Sequence, residues 1–89
     1  MSRDAIKIPT TIYGFKRLTN SHYGNPRYSI TTEHGDFTTQ SDAALNYDID
    51  NIEHANRVAL QGGKGFVAVL TTTRAHKVWG ITTYGEDNA

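Results

Sequence analysis

Aromatic rings and cations are interleaved near the beginning of this 89-residue chain, a combination that can hold single-stranded nucleic acid. Rings stack on unpaired bases, while lysine and arginine contact the phosphates. Lysine and a tryptophan, Trp79, occur together again near the end of the chain. The candidate binding residues are Tyr13, Phe15, Lys16, Arg17, Tyr23, Arg27, Tyr28 and Lys77.

The side chains of the first predicted strand can be arranged in two ways. In the first arrangement Ile12 points inward, and Tyr13, Phe15 and Arg17 form an exposed strip on the opposite face. In the second arrangement Tyr13 and Phe15 belong to the core and Lys16 is exposed. Alternation alone does not separate the two arrangements.

A second candidate surface is acidic and suits a protein partner. Between residues 42 and 53 the chain has four acidic residues and no lysine or arginine. A solvated helix face accounts for the same residues, so both interpretations stay open. The acidic residues are Asp42, Asp48, Asp50 and Glu53.

The spacing of Asn46, Asp48 and Asp50 is similar to the start of a calcium-binding loop. Such a loop requires glycine at its sixth position and glutamate at its twelfth. Asn51 and Arg57 occupy those positions, and a cation at the twelfth would repel calcium. We therefore predict no metal site.

Two other chemical signatures are incomplete. The stretch 62–65 (GGKG) lacks both the earlier glycine of a phosphate-binding loop and the hydroxyl residue after its lysine. The histidines are far apart in sequence and show neither ligand spacing nor an adjacent nucleophile. They are His22, His34, His54 and His76. We predict that the protein is not an enzyme and needs no cofactor.

The composition limits the class of protein. Nine basic and nine acidic residues cancel, so a general affinity for polyanions is not expected. The chain has no cysteine, which excludes disulfides and thiolate-bound zinc. It contains no apolar run of the length of a signal peptide or membrane span. These features predict a soluble cytoplasmic protein of one domain.

Hydrophobic periodicity divides the chain into five strands and one helical segment. Gly14, in the middle of the first strand, predicts a bulge or a sharp bend. Pro9 is expected to end any strand before it. The predicted strands are 10–18, 27–32, 36–40, 66–73 and 78–83, the helical segment is about 42–60, and a flexible arm (1–9) and an acidic tail (84–89) flank the domain (10–83).

Helical spacing of Leu45, Ile49 and Ile52 indicates the helix, with Ser41 as its predicted N-cap. Residues 57–60 could instead form a strand. The hairpin 66–83 is the most β-like stretch. The pattern predicts burial of one or both faces of the hairpin. Its first strand is apolar on both sides, which suits burial of each face or cover by the helix on one of them, and Trp79 is expected in the core.

The order β-β-β-α-β-β resembles the oligonucleotide/oligosaccharide-binding (OB) barrel, in which a helix plugs the barrel between the third and fourth strands. An SH3-like barrel or an open sheet covered by the helix is the alternative. The OB resemblance implies a mainly β fold that binds a ligand on its first strands.

Three short stretches, 17–21 (RLTNS), 24–28 (GNPRY) and 71–75 (TTTRA), resemble short reading frames of actinobacterial phages. This resemblance implies a phage or prophage accessory protein that acts in the host cytoplasm, and it assigns no site residue.

Together these observations predict a non-catalytic binding module. The acidic segment and the neutral net charge favour a host protein or a second copy of the chain as the partner. The fold resemblance favours the alternative, single-stranded nucleic acid bound along strands one and two.

Overall fold

A closed sheet of five strands forms the body of the molecule in the computed structural model, which describes residues 5–83. Three short helical pieces connect the third strand to the fourth. The predicted mainly β fold and its element order are confirmed. The strands are β1 (Ile6–Arg17), β2 (Tyr28–Thr32), β3 (Gly35–Thr39), β4 (Phe66–Thr72) and β5 (Lys77–Thr83), and the helical pieces are a 3-10 helix (Ala44–Tyr47), α1 (Ile49–Ala55) and α2 (Arg57–Gln61).

The strands follow each other around the barrel in the order β1, β2, β3, β5, β4, and β4 pairs back with β1. Four of the five pairings are antiparallel, and β3 with β5 is parallel. The parallel pairing is short, with Thr38 opposite Lys77 and Thr39 opposite Val78. It closes the barrel.

β1 is long because it pairs with its two neighbours through different parts of its length. Residues 6–12 pair with β4, and residues 12–17 pair with β2 apart from one unpaired position. The pairing with β2 shifts between Ile12 and Gly14, so Tyr13 is an extra residue in a bulge. The bulge predicted from Gly14 is confirmed.

The bulge changes which side chains point inward. Ile12 is fully buried, and Phe15, opposite Ile30, also packs against the core. The extra residue between Ile12 and Phe15 interrupts the two-residue alternation, so both pack inward although they are three positions apart. The predicted exposed strip of Tyr13, Phe15 and Arg17 is therefore wrong. The alternative is right for Lys16, which is exposed, but not for Tyr13, which is 42% exposed.

The flexible arm is shorter than predicted. Residues 6–9 belong to β1, and Pro9 does not end the strand. In the described part of the chain, residues 6–10 pair with β4 alone. Proline is tolerated at such an edge because no second strand needs its missing N–H. Residues 1–4 of the predicted arm, and the whole predicted tail 84–89, lie outside the described residues.

The helical pieces cover the interior of the barrel with the apolar residues that the spacing predicted. Leu45 and Ile49 are buried, and Ile52 packs against the core. Residues 57–60 are helical, so the strand alternative is wrong. The start of the segment also differs from expectation, because Asp42 has a φ of 63° and the first helical residue is Ala44. Ser41 is therefore not an N-cap. No helix within residues 5–83 is long and apolar enough to span a membrane.

The final hairpin is buried on one face, which is one of the two predicted arrangements. Phe66, Ala68 and Leu70 point into the barrel, whereas Val67 is 51% exposed because no element of residues 5–83 covers the outside of the strand there. Trp79 is also outside, 43% exposed, and the prediction that it belongs to the core is wrong. The β4–β5 register moves from Gly80 to Val78, which leaves Trp79 unpaired as an irregularity of β5.

Gly65 tests the packing of the bulge. Its φ is +72°, and a Cβ atom there would lie 2.5 Å from the Ile12 carbonyl oxygen and 2.8 Å from Tyr13 Cδ1. We expect Gly65→Ala to lower the free energy of unfolding by about 3 kcal/mol or more, from backbone strain and overpacking together.

Gly24→Ala is the matched control, since Gly24 has a φ of +84° with open space around it. Gly24→Ala should lower the free energy of unfolding by the backbone strain alone, about 1–2 kcal/mol. Urea unfolding of both variants measures the difference. Equal losses would show that Tyr13 and Ile12 do not pack against Gly65 as described.

Candidate ligand-binding surface

A row of outward side chains crosses four neighbouring strands. Lys16 of β1 pairs with Ser29 of β2, Ser29 with Thr38 of β3, and Thr38 with Lys77 of β5. We call these residues the lysine row. Both lysines are exposed and both hydroxyl residues are half-buried. Because neighbouring strands lie about 4.8 Å apart, the row is about 14 Å long.

The surface beside the lysine row is made of small side chains. Gly14 pairs with Thr31, and Thr31 pairs with Asp36, on the same outward face. Asp36 is exposed, so a carboxylate stands at one margin of this face. Trp79 follows Lys77 by two residues on β5 and presents its ring to solvent. The result is a shallow polar floor between two ammonium groups, with an indole ring at one end.

Three members of the predicted set serve the barrel itself. Tyr28 is buried, and the Phe15 ring lies 6.3 Å from the Phe66 ring. The Arg17 guanidinium lies 5.6 Å from the centre of the Tyr28 ring, a cation–π distance. Arg17 also donates a hydrogen bond of 2.6 Å to the Asn20 side chain. The structure therefore uses these rings for packing.

The loop between β1 and β2 carries two more of the predicted residues. Arg27 donates from Nε to the Thr19 carbonyl oxygen at 3.0 Å and from Nη2 to the Thr19 hydroxyl at 3.3 Å. Tyr23 is 78% exposed in the same loop. Arg27 is therefore fixed close to the start of β2, two residues before Ser29, while the Tyr23 ring is open to a ligand.

Asp42, which we predicted as a protein contact, holds this loop in place. Its carboxylate accepts hydrogen bonds from Asn25 Nδ2 at 2.6 Å and from Ser21 Oγ at 2.7 Å. The Tyr47 hydroxyl donates to the Asn25 side-chain oxygen. The bonds from Asn25 and then Ser21 hold the pKa of Asp42 below its ordinary value of 3.8. These four residues form the Asp42 cluster.

The other predicted acidic contacts are divided between two grooves. Asp50 and Glu53 face β1, and Asp48 lines a different groove with Asn56 and Thr83. The four predicted acids, all within the described range, therefore do not form one surface.

The groove between β1 and the helices has a volume of about 560 Å³. Sequence reasoning missed it because it depends on how the bulge of β1 meets the helices, and neither element predicts that contact alone. Its signal in the sequence is Tyr13 next to Gly14, an aromatic residue followed by glycine within a strand. Its lining includes Tyr13, Phe15, Asp50, Glu53, Arg57 and Leu60.

Neither metal chemistry nor a known relative identifies the surface. Among residues 5–83, no three His, Asp or Glu side chains come together in a way that could hold a metal ion. No protein-family model matches the chain, and no curated protein or solved structure shows significant similarity to it. The resemblance to phage reading frames stays a prediction.

The Asp42 cluster makes a prediction about acid stability. A depressed folded-state pKa stabilises the fold above the unfolded-state value, and this contribution is lost as pH falls through the lower folded-state pKa. Below about pH 3.8 the wild type should therefore lose stability that Asp42→Asn has already lost at neutral pH.

Urea unfolding between neutral and acidic pH measures this loss. Asp36→Asn is the control, because it removes an exposed carboxylate outside the Asp42 cluster. The free energies of unfolding of wild type and Asp42→Asn should converge in acid. The difference between wild type and Asp36→Asn should stay the same at every pH. A constant difference between wild type and Asp42→Asn at every pH would contradict the hydrogen bonds to the carboxylate.

Proposed function

We propose that the chain is an OB-type barrel that binds single-stranded nucleic acid across the outward face of β1, β2, β3 and β5. Support for the fold type comes from the closed five-stranded sheet and from the helical pieces between β3 and β4. Leu45 and Ile49 of these pieces are buried in the barrel, as a plugging helix requires. OB barrels bind oligonucleotides on strands two and three and on the two adjoining loops.

The lysine row is the observation that carries the proposal. Lys16 and Lys77 bracket Ser29 and Thr38, so two cations and two hydroxyl groups lie along one line across the strands. Lysine and hydroxyl side chains are common donors to phosphate oxygens. A line of such donors suits a sugar–phosphate backbone that crosses the sheet, and it requires no base sequence.

Two exposed rings on the elements that carry this face can stack on bases. Trp79 is exposed on β5, and Tyr23 is exposed in the β1–β2 loop. Stacking of this kind is tolerant of sequence, because every base has a π face. The ligand we propose is therefore a single strand without a strict sequence.

A neutral chain binds a polyanion through few contacts. If Lys16, Lys77 and Arg27 each meet one phosphate, the logarithm of the affinity should fall with the logarithm of salt concentration with a slope of about −2. This shallow slope separates a local site from the steep dependence of a basic protein.

The protein partner has less support from the arrangement of the acidic residues. Asp42 is engaged with the β1–β2 loop, and Asp48 faces away from Asp50 and Glu53. Asp50 and Glu53 share a groove, which is a separate site. The phage origin, the cytoplasmic location and the lack of catalysis stay predictions from the sequence.

Neutralising both ends of the lysine row should weaken binding. We expect the double variant Lys16→Gln, Lys77→Gln to bind a labelled oligothymidine of about 15 nucleotides at least tenfold more weakly than wild type near 50 mM salt. Its salt slope should fall to about −0.7, because one phosphate contact remains. Fluorescence anisotropy measures both quantities.

The charge-matched control is the double variant Lys7→Gln, Lys64→Gln, which removes two exposed lysines outside the row. It should bind as wild type does. Equal losses in both variants, or no binding by wild type at low salt, would remove the proposal.

Trp79 gives a separate test because it is the single tryptophan of the chain. Its fluorescence should be quenched when oligothymidine binds. Replacing Trp79 with alanine should weaken binding about 5- to 150-fold, the range for loss of one base–ring stack. Trp79→Phe should retain most of the affinity, and Val67→Ala, which alters another exposed apolar residue, should have no effect. Unchanged fluorescence on binding would exclude Trp79 from the site.

A further inference from the structure

The groove between β1 and the helices has two chemically different walls. Asp50 and Glu53, three residues apart on α1, stand on one wall. Residues with this spacing lie on the same side of a helix. The Tyr13 and Phe15 side chains form the opposite wall. An acidic wall therefore faces an aromatic wall across an open groove.

Neither carboxylate has a partner among residues 5–83. Within that range the side-chain carboxylates of Asp50 and Glu53 make no ion pair and accept no hydrogen bond. Both residues are exposed at the mouth of the groove, so their acceptor oxygens can bind a ligand without breaking an internal contact.

The Tyr13 ring is held toward this groove by the backbone. Tyr13 is the extra residue of the β1 bulge, and it approaches Gly65 so closely that no Cβ fits there. The ring is 42% exposed and so has surface left for a ligand. Because the bulge and Gly65 restrict it, little further ordering is needed on binding.

We propose that this groove binds an arginine side chain presented by a protein partner. A planar guanidinium can lie on the Tyr13 ring while its N–H groups donate to Asp50 and Glu53. Its aliphatic stem can rest against Phe15 and Leu60. The groove thus matches the three chemical parts of this side chain.

Charge complementarity selects a cation over an anion. The groove holds two carboxylates and the Arg57 guanidinium, which leaves one net negative charge while His54 is neutral. Arg57 is the unfavourable neighbour, since it repels an incoming guanidinium. This site does not use the lysine row, and the proposal stands or falls independently of nucleic-acid binding.

Titration of the isotope-labelled full chain by NMR, with the peptide acetyl-Gly-Arg-Gly-amide, tests the proposal. Backbone amide shifts should concentrate at Tyr13, Gly14, Gly65 and the helices α1 and α2, at peptide concentrations of about 1–10 mM. The same peptide with lysine in place of arginine should cause smaller shifts, because an ammonium group lacks the planar arrangement of N–H donors of a guanidinium. The peptide with citrulline, a neutral analogue of arginine, should cause none.

Variants that remove charged groups test whether the groove recognises a cation. The double variant Asp50→Asn, Glu53→Gln should lose at least about tenfold in affinity, as expected for the loss of charge-assisted hydrogen bonds. Arg57→Gln should bind the arginine peptide more tightly than wild type. Asp48→Asn removes one carboxylate charge immediately before α1, in the other groove, and should leave binding unchanged. The amide spectrum of each variant verifies its fold.

Several results would overturn the proposal. These are equal shifts with citrulline and arginine, weaker binding by Arg57→Gln, and no shift in the groove at the highest peptide concentration. Larger shifts in the groove with oligothymidine than with the arginine peptide would assign it to nucleic acid and also count against the proposal.

Discussion

Closure of the sheet depends on β1, which pairs with β4 through its first half and with β2 through its second half. A strand that pairs with one partner through its first half and with another through its second half bends between them, and a bulge supplies the bend at the cost of one unpaired residue. Ile12 is the hinge, since it pairs with both neighbours and is fully buried. The short parallel contact of β3 with β5 then completes the ring.

Irregular strand pairing also places two aromatic side chains on the outside of the barrel. Tyr13 and Trp79 are the unpaired residues at the irregularities of β1 and β5, and a glycine follows each of them. A Cβ at Gly80 would lie 3.3 Å from the Thr71 Cβ, so a larger residue would crowd the neighbouring strand there. Interrupted pairing thus exposes two rings that strict alternation would treat as ordinary strand residues. Trp79 adjoins the lysine row, and Tyr13 lines the groove between β1 and the helices.

The sequence predicted the elements and much of the core because these depend on local spacing. Leu45, Ile49, Phe66 and Leu70 follow helical or strand periodicity and are buried as expected. The sequence could not predict which side chains of β1 point inward after the bulge, since one extra residue reverses the alternation that follows. Gly14 indicates a bulge but does not reveal which neighbouring residue is unpaired. The lysine row depends on the pairing of β3 with β5, and no local pattern specifies a contact so distant in sequence.

Nuclear Overhauser effects across the junction of β3 and β5 test the account most directly, because this junction both closes the barrel and completes the lysine row. The structure predicts contacts from Thr38 to Lys77 and from Thr39 to Val78, in the pattern of parallel strands. They should occur together with contacts from Ile12 to both Thr32 and Phe66. If β3 and β5 showed no contacts, or paired antiparallel, the sheet would be open or differently ordered, and the proposed nucleic-acid surface would not exist.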